Sequence, residues 1–300
     1  SQINASTLDQ FDCYGELALS GECRPIAGLL PALISSKQQH KKVIIPHQNE
    51  PEASLIEGLT IFTSQSLAQI CASLNGGHPL PQLEALDARY TPHFECDLDE
   101  VYGQYQARRA LEIAASGAHH MIMMGPPGTG KSMLAQRLNT ILPLMSEAEA
   151  MSSASIRSIS HKPVNADNWL QRPFQSPHHT VSGVALVGGG SNPKPGEISL
   201  AHNGVLFLDE LTEFDRKSIE VLREPLETGK IHISRAARQA EFPAQFQLVA
   251  AMNPCPRGCD SIVSCHCSAE QLSRSRNKLY APLMYWIDSH IQLPRRPSSV

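Results

Sequence analysis

Residues 125–132 read Gly-Pro-Pro-Gly-Thr-Gly-Lys-Ser. They follow the apolar run Met121-Ile122-Met123-Met124 and precede a segment in which Leu134, Leu138, Ile141 and Leu142 share one helical face. No other feature restricts the fold so strongly. A buried strand, a tight glycine-rich loop and an amphipathic helix in that order make a phosphate-binding unit. Glycines let backbone N–H groups turn inward around the β- and γ-phosphates, Lys131 adds a point charge, and Ser132 offers a hydroxyl to Mg²⁺. The bland alternative, a Gly/Pro turn between core elements, does not need this context. The expected contacts to ATP are Gly125, Pro126, Pro127, Gly128, Thr129, Gly130, Lys131, Ser132 and Met133.

Two further runs point to the same chemistry. Val205-Leu206-Phe207-Leu208 reads as a strand buried on both faces of a parallel sheet, and it ends in Asp209-Glu210. Carboxylates at that end of a strand sit where open α/β sheets bind ligands. Asp209 would hold Mg²⁺ and Glu210 would polarise the water that attacks the γ-phosphate. Asp209 capping the next helix is the competing reading, and for Asp215 that capping role is preferred: it precedes a helix carrying Ile219, Leu222 and Leu226 that stops at Gly229. Residues 246–252 form a third run, closed by Asn253-Pro254. Asn253 would bond the γ-phosphate or the attacking water, and Pro254 would stop the strand.

At 300 residues with 41% hydrophobic side chains, the chain can build two cores. No apolar stretch reaches bilayer length and the N-terminus shows no signal peptide, so a cytoplasmic protein with no membrane partner is expected. A net charge of −4 gives no global drive toward nucleic acid, leaving any such contact to local basic patches. Residues 1–77 read as alternating short strands and helices, with strands at 16–19 and 43–45, a helix at 26–36, and a second helix capped by Ser66 that runs to Leu74. Residues 78–96, proline-bearing and aperiodic, read as a linker, and 97–300 as the nucleotide-binding core. The His-, Gly- and Pro-rich segment 173–203 is too long for a plain connection and reads as an insertion with a role.

The loop, Phe174-Gln175-Ser176-Pro177-His178-His179-Thr180, Gly188-Gly189-Gly190, residues 195–211, Leu222-Arg223-Glu224-Pro225-Leu226-Glu227 and Ala251-Met252-Asn253-Pro254-Cys255-Pro256 together resemble the magnesium-chelatase-like AAA+ ATPases, across about residues 97–294. Residues 10–77 resemble part of a Lon-protease-like, ribosomal-S5-type α/β domain. The resemblance implies an α/β fold: an AAA+ P-loop core with a parallel sheet, preceded by part of that domain. It also implies a homo-hexameric ring that hydrolyses ATP and moves branched or single-stranded DNA during natural transformation.

Departures from the family pattern qualify what is implied. The chain is expected to be a fragment that begins inside the Lon-like domain and ends before the helical lid. Gly28-Leu29-Leu30-Pro31-Ala32 lacks the lysine of the proteases, so proteolysis is not expected. Trp286 stands where the family places its arginine finger, and loss of a finger slows turnover by roughly 10³–10⁵. Arg274 and Arg276 match family positions and are the substitutes. A degenerate ATPase and a chelatase-like assembly or remodelling module therefore stand beside the DNA motor.

Two local motifs stay open between readings. Cys255, Cys259, Cys265 and Cys267 crowd into thirteen positions with His266 between the last pair, as in a Zn²⁺ knuckle or as reduced thiols on a surface loop. Residues 230–242 read as a hairpin whose Lys230, Arg235 and Arg238 would grip DNA phosphates, or as a solvated hairpin that packs subunits together. His178-His179 is read as bonding its own neighbourhood within the insertion rather than as a ligand pair.

Overall fold

The apolar runs of four to six residues become buried parallel strands in a computed structural model of the chain, which describes residues 3, 5–84, 94–190, 192–235, 238–255, 259, 265, 267–278 and 281–294. Two compact units share the chain, one formed by residues 1–93 and 150–171, the other by 94–149 and 172–300.

The first unit contains strands β1 (Phe11–Cys13), β2 (Glu16–Leu17), β3 (Cys23–Arg24), β4 (Lys42–Pro46) and β5 (Ile61–Ser64). Parallel pairing in the order β1-β4-β5 makes its sheet, and β2 and β3 form a small antiparallel pair. Val43, Ile44 and Ile45 are fully buried, which fits their unbroken apolar run. The helix expected from residue 26 starts only at Leu29, because Gly28 (φ 73°) takes the left-handed conformation just before it. The helix Leu67–Leu74 opens where expected, with the Ser66 side chain accepting from Gln69 N–H. Residues 81–83, inside the expected linker, run along β5: Thr63 N–H donates to Pro81 O and Leu83 N–H to Ile61 O. Residues 85–93 of that segment lie outside the described residues. Residues 150–171, inside the expected core range, fold with this unit, where the Ser158 hydroxyl donates to Glu52 at 2.9 Å.

The second unit carries β6 (Met121–Met124), β7 (Phe174–Gln175), β8 (Gly188–Gly189), β9 (Lys194–Pro195), β10 (Val205–Leu208), β11 (Lys230–Arg235), β12 (Arg238–Pro243), β13 (Gln247–Met252) and β14 (Ser289–Gln292). Its sheet is five-stranded and all parallel, in the order β14-β6-β13-β10-β7. Every residue of β10 and β13 is buried, as parallel strands covered on both faces require. Alternation along the strands sends Met121, Met123, Val205, Phe207, Val249 and Ala251 into one cluster. Leu111 and Ala114 of the helix Tyr105–Gly117 and Leu134 and Leu138 of the helix Lys131–Ile141 join them.

A further element, in the second unit, differs from its expectation. The single helix anticipated between Asp215 and Gly229 is two, Arg216–Glu220 and Arg223–Thr228. Pro225 has no N–H to return to the preceding turn, so the helical ladder cannot run through it. Asp215 does precede the first helix but makes no side-chain capping bond, while Gly229 closes the second in the left-handed conformation (φ 70°).

Candidate functional site

Parallel strands deliver their following residues to one edge, and the order β6-β13-β10 sets three such exits side by side. The loop 125–132 leaves β6, Asn253 leaves β13, and Asp209-Glu210 leaves β10. Gly125 must be glycine here, since a Cβ would meet Leu293 O at 2.7 Å. Gly130, at φ 87°, sets the turn into the helix Lys131–Ile141, so the helix N-terminus opens at the loop.

Lys131 is the buried charge of this corner. Its Nζ donates to Gly125 O at 2.7 Å, Pro126 O at 2.9 Å and Asn253 Oδ1 at 3.1 Å. Burial pushes the Lys131 ammonium below its ordinary range, and the carboxylates of Asp209 and Glu210 push it back up. Ser132 Oγ donates to Asp209 Oδ2 at 2.5 Å, joining the hydroxyl and carboxylate expected at a metal. The Thr129 hydroxyl donates to Pro126 O, and Gln104 Nε2 to Thr129 O, which braces the loop from within. Pro127, Gly128 and Ser132 are exposed, leaving one side of the loop accessible. Hydroxyl, carboxylate and an exposed helix N-terminus together fit a phosphate chain with a hard divalent ion.

Glu210 is held less conventionally. It is a non-glycine residue at φ 52°, and its carbonyl accepts from Glu213 N–H at 2.7 Å to close a short 3₁₀ turn. Its carboxylate lies 3.2 Å from His179 Nδ1. The His179 ring in turn lies 4.1 Å from that of His178, centroid to centroid, and meets Phe214 edge-on. Reading His178-His179 as bonding its own surroundings fits His178, whose Nδ1 is 2.9 Å from the Thr180 hydroxyl, but not His179. The available signal was topological. Residues that leave β7 must lie beside those that leave β10, because the two strands pair in parallel.

The hairpin expected at 230–242 is formed by β11 and β12, with Arg235 opposite Arg238. Lys230 Nζ is 2.7 Å from Glu241 Oε1, and His232 sits between Glu224 (2.5 Å) and Glu241 (2.9 Å). Hydrogen bonding to those two glutamates raises the His232 pKa. Residues 236–237 and the side chains of Arg235 and Arg238 lie outside the described residues, as do the side chains of Arg274 and Arg276 on the helix Ala269–Lys278. Trp286 is half-buried after the helix Ala281–Tyr285, its ring edge-on to Tyr285. The four clustered cysteines converge, with all four sulfurs within 4.8 Å of one another. His266 lies outside the described residues. No helix among the described residues is long and apolar enough to cross a membrane.

This geometry agrees with the chain's relatives. Residues 97–300 match the family described as magnesium chelatase, subunit ChlI. Competence protein ComM of Haemophilus influenzae is 46% identical over 99% of the chain, and the Escherichia coli protein YifB, described as uncharacterized, is 44% identical over all of it. The chain spans 59% of the length of each. The magnesium-chelatase 38 kDa subunit of Cereibacter sphaeroides is 25% identical over 51% of the chain and 51% of its own length. With the five-stranded parallel sheet and the loop at its edge, these matches place the chain in the magnesium-chelatase-like AAA+ family.

Proposed function

We propose that this chain binds Mg²⁺–ATP at the edge where β6, β13 and β10 end, hydrolyses it, and uses the cycle to remodel DNA as a cytoplasmic ring of six copies. One observation carries the nucleotide reading: across three adjacent strand ends Lys131 bonds Asn253 and Ser132 bonds Asp209. The DNA and ring readings rest on the family resemblance and on the hairpin β11–β12, one face of which, with Lys230, His232 and Ser234, is exposed. Residues 1–77 are read as part of a Lon-protease-like domain that does not act as a protease.

Each residue then has a separate task. Lys131 holds negative charge on the phosphates, and Asn253, already bonded to it, orients the γ-phosphate or the water. Ser132 and Asp209 would hold Mg²⁺, which neutralises charge on the phosphate oxygens. The Glu210 carboxylate takes a proton from water as the water oxygen bonds the γ-phosphorus and the bond to the departing diphosphate oxygen breaks. His179 steadies that carboxylate.

A second reading rests on Trp286. An indole cannot place positive charge on a neighbour's γ-phosphate, so the chain would bind ATP but turn it over slowly, as a degenerate ATPase or a chelatase-like assembly module. Hydrolysis by the full-length protein, measured with and without branched DNA and with the ring verified by light scattering, separates the readings. DNA-stimulated turnover is the expected result. Brisk turnover indifferent to DNA would overturn the DNA motor, and slow turnover that Trp286→Arg accelerates would establish the second reading.

A further inference from the structure

The nucleotide chemistry leaves Cys255, Cys259, Cys265 and Cys267 without a task. We propose that these four cysteines hold one zinc ion in a closed structural site, and that this site fixes the chain between Asn253 and the helix Ala269–Lys278. The separations are already close to those a single ion imposes. With Zn–S bonds of about 2.3 Å, tetrahedral geometry sets sulfurs roughly 3.8 Å apart, and here all four lie within 4.8 Å of one another. Closing the site takes movements of about 1 Å.

Two backbone donors already point at sulfurs of the cluster. Cys259 N–H donates to Cys255 Sγ at 3.2 Å and Cys267 N–H to Cys265 Sγ at 3.5 Å. Such bonds fix the orientation of metal ligands. Cys255 is 3% exposed and the other three are half-buried, so the cluster faces inward. None of the four is in a disulfide. Four soft ligands discriminate against Mg²⁺, so this site and the Ser132–Asp209 corner do not compete for one ion.

The composition of the following helix also suits a metal anchor. The helix after Cys267 reads Ala-Glu-Gln-Leu-Ser-Arg-Ser-Arg-Asn-Lys, with Leu272 as its one large apolar residue. So little apolar surface contributes little burial energy, and a structural metal is the usual replacement. The ends of the cluster show what would be fixed. Upstream, only Pro254 separates Cys255 from Asn253, whose Oδ1 accepts from Lys131. Downstream, Ser268 follows Cys267 and caps the helix, accepting from Gln271 N–H at 3.2 Å while its own N–H donates to Gln271 Oε1. That helix carries Arg274 and Arg276. Zinc therefore ties Asn253 to the segment that bears the two arginines, a consequence that rests on the nucleotide-site reading, whereas the metal site itself does not.

The test uses full-length protein from zinc-replete cells, purified under reducing conditions without chelator. Elemental analysis should give one zinc per chain. Cobalt substitution should give the thiolate-to-metal charge-transfer band and intense visible bands of a tetrahedral thiolate site. Cys259→Ser and Cys265→Ser should lose the zinc, and Cys71→Ser, outside the cluster, should keep it. Cys267→His should also keep it, since imidazole is a competent fourth ligand, and should shift the cobalt bands; this variant covers the case in which a serine variant fails to fold. Metal-free wild type, stoichiometric zinc in Cys259→Ser, or iron with inorganic sulfide in place of zinc would each overturn the site. ATP titration addresses the consequence separately. Cys265→Ser should bind ATP about tenfold more weakly, within the usual range of coupling between sites, and unchanged affinity in a zinc-free variant would overturn the tie to Asn253 while leaving the zinc site standing.

Discussion

Both units of the chain build a parallel sheet with helices, yet they use the ends of their strands in opposite ways. In the first unit the polar groups beyond β4 and β5 are spent on the unit itself. Asn49 accepts from Ile26 N–H and donates to Ile26 O and Glu52, and Ser64 Oγ donates to Ser66 O. In the second unit the corresponding positions hold a buried lysine, a hydroxyl–carboxylate pair, an asparagine and a glutamate around an exposed loop. Shared architecture thus says little about chemistry. The edge proposed to bind nucleotide is set apart by charged and hydroxyl groups drawn from three adjacent strand ends beside an exposed loop.

The largest expected effect falls on the one side chain of that edge given a chemical step. Glu210→Gln keeps the size and the approach to His179 but cannot take a proton. Turnover of full-length protein should fall about 10²–10⁴-fold, with Mg²⁺–ATP affinity nearly unchanged. Equal loss of affinity and turnover would show that Glu210 serves binding, and full turnover would remove it from the chemistry.

Lys131→Ala should come next. Removing a buried, hydrogen-bonded charge weakens binding by about 2–5 kcal/mol, so ATP affinity by direct titration should fall at least thirtyfold. An unchanged affinity would make the loop a structural turn, and the edge of the second unit would then be no different from that of the first.

How much of this was legible in the sequence depended on how local the determinant is. The strand Met121–Met124 and the strand Val205–Leu208 could be read residue for residue, because each apolar run is closed by its own loop or acidic pair. The turn that the loop makes was equally legible, since it is encoded in the closely spaced Gly125, Gly128 and Gly130. His179 beside Glu210 was not, because it depends on β7, a two-residue strand with too few positions to show alternation, pairing with β10. The attachment of residues 81–83 to β5 was hidden for a similar reason: a proline-bearing stretch without periodicity pairs through its backbone alone. Pro225, by contrast, was in plain view, and its lack of an N–H accounts for the division between the helices Arg216–Glu220 and Arg223–Thr228.

The opposite edge of the second unit's sheet makes a pH prediction of the third size. His202 is 5% exposed and its Nδ1 accepts from Gln245 N–H at 3.1 Å. Burial pushes its pKa down from 6.5 to about 4, partly offset by backbone hydrogen bonding at Gln245 other than this N–H and by the negative charge of Glu149. Between those values the unfolded chain binds more protons than the folded one, so this stability is complete above pH 6.5 and is lost as pH falls through 4. The loss amounts to about 3 kcal/mol. Denaturant melts of wild type and His202→Asn, which keeps an acceptor without a titrating ring, should converge as pH drops from 7 to 4.5. A constant gap between them would show that His202 does not titrate in this window. ATP affinity measured well below the melting midpoint should not follow the same curve, which would separate the structural edge from the binding edge within one sheet.

The smallest effect tests the first unit by the same standard. Asn49 is 6% exposed and its amide spans the backbone of Ile26, accepting at 3.1 Å and donating at 3.0 Å, while a further bond reaches Glu52 at 2.6 Å. Glu52 also accepts from Ser158, which brings residues 150–171 into the same network, and burial raises its pKa despite both bonds. Asn49→Ala leaves the Ile26 N–H and C=O without these partners and deprives Glu52 of one donor, so stability should fall by about 1–3 kcal/mol. A carboxylate with one donor fewer is also easier to protonate. The Glu52 pKa should therefore rise further in the variant, and NMR titration of its side chain would show this directly. Mg²⁺–ATP affinity should stay at the wild-type value, because every polar group that Asn49 touches belongs to the first unit. A tenfold change in that affinity without loss of stability would mean that the strand ends of the first unit reach the nucleotide chemistry after all, and the contrast between the two edges would no longer hold.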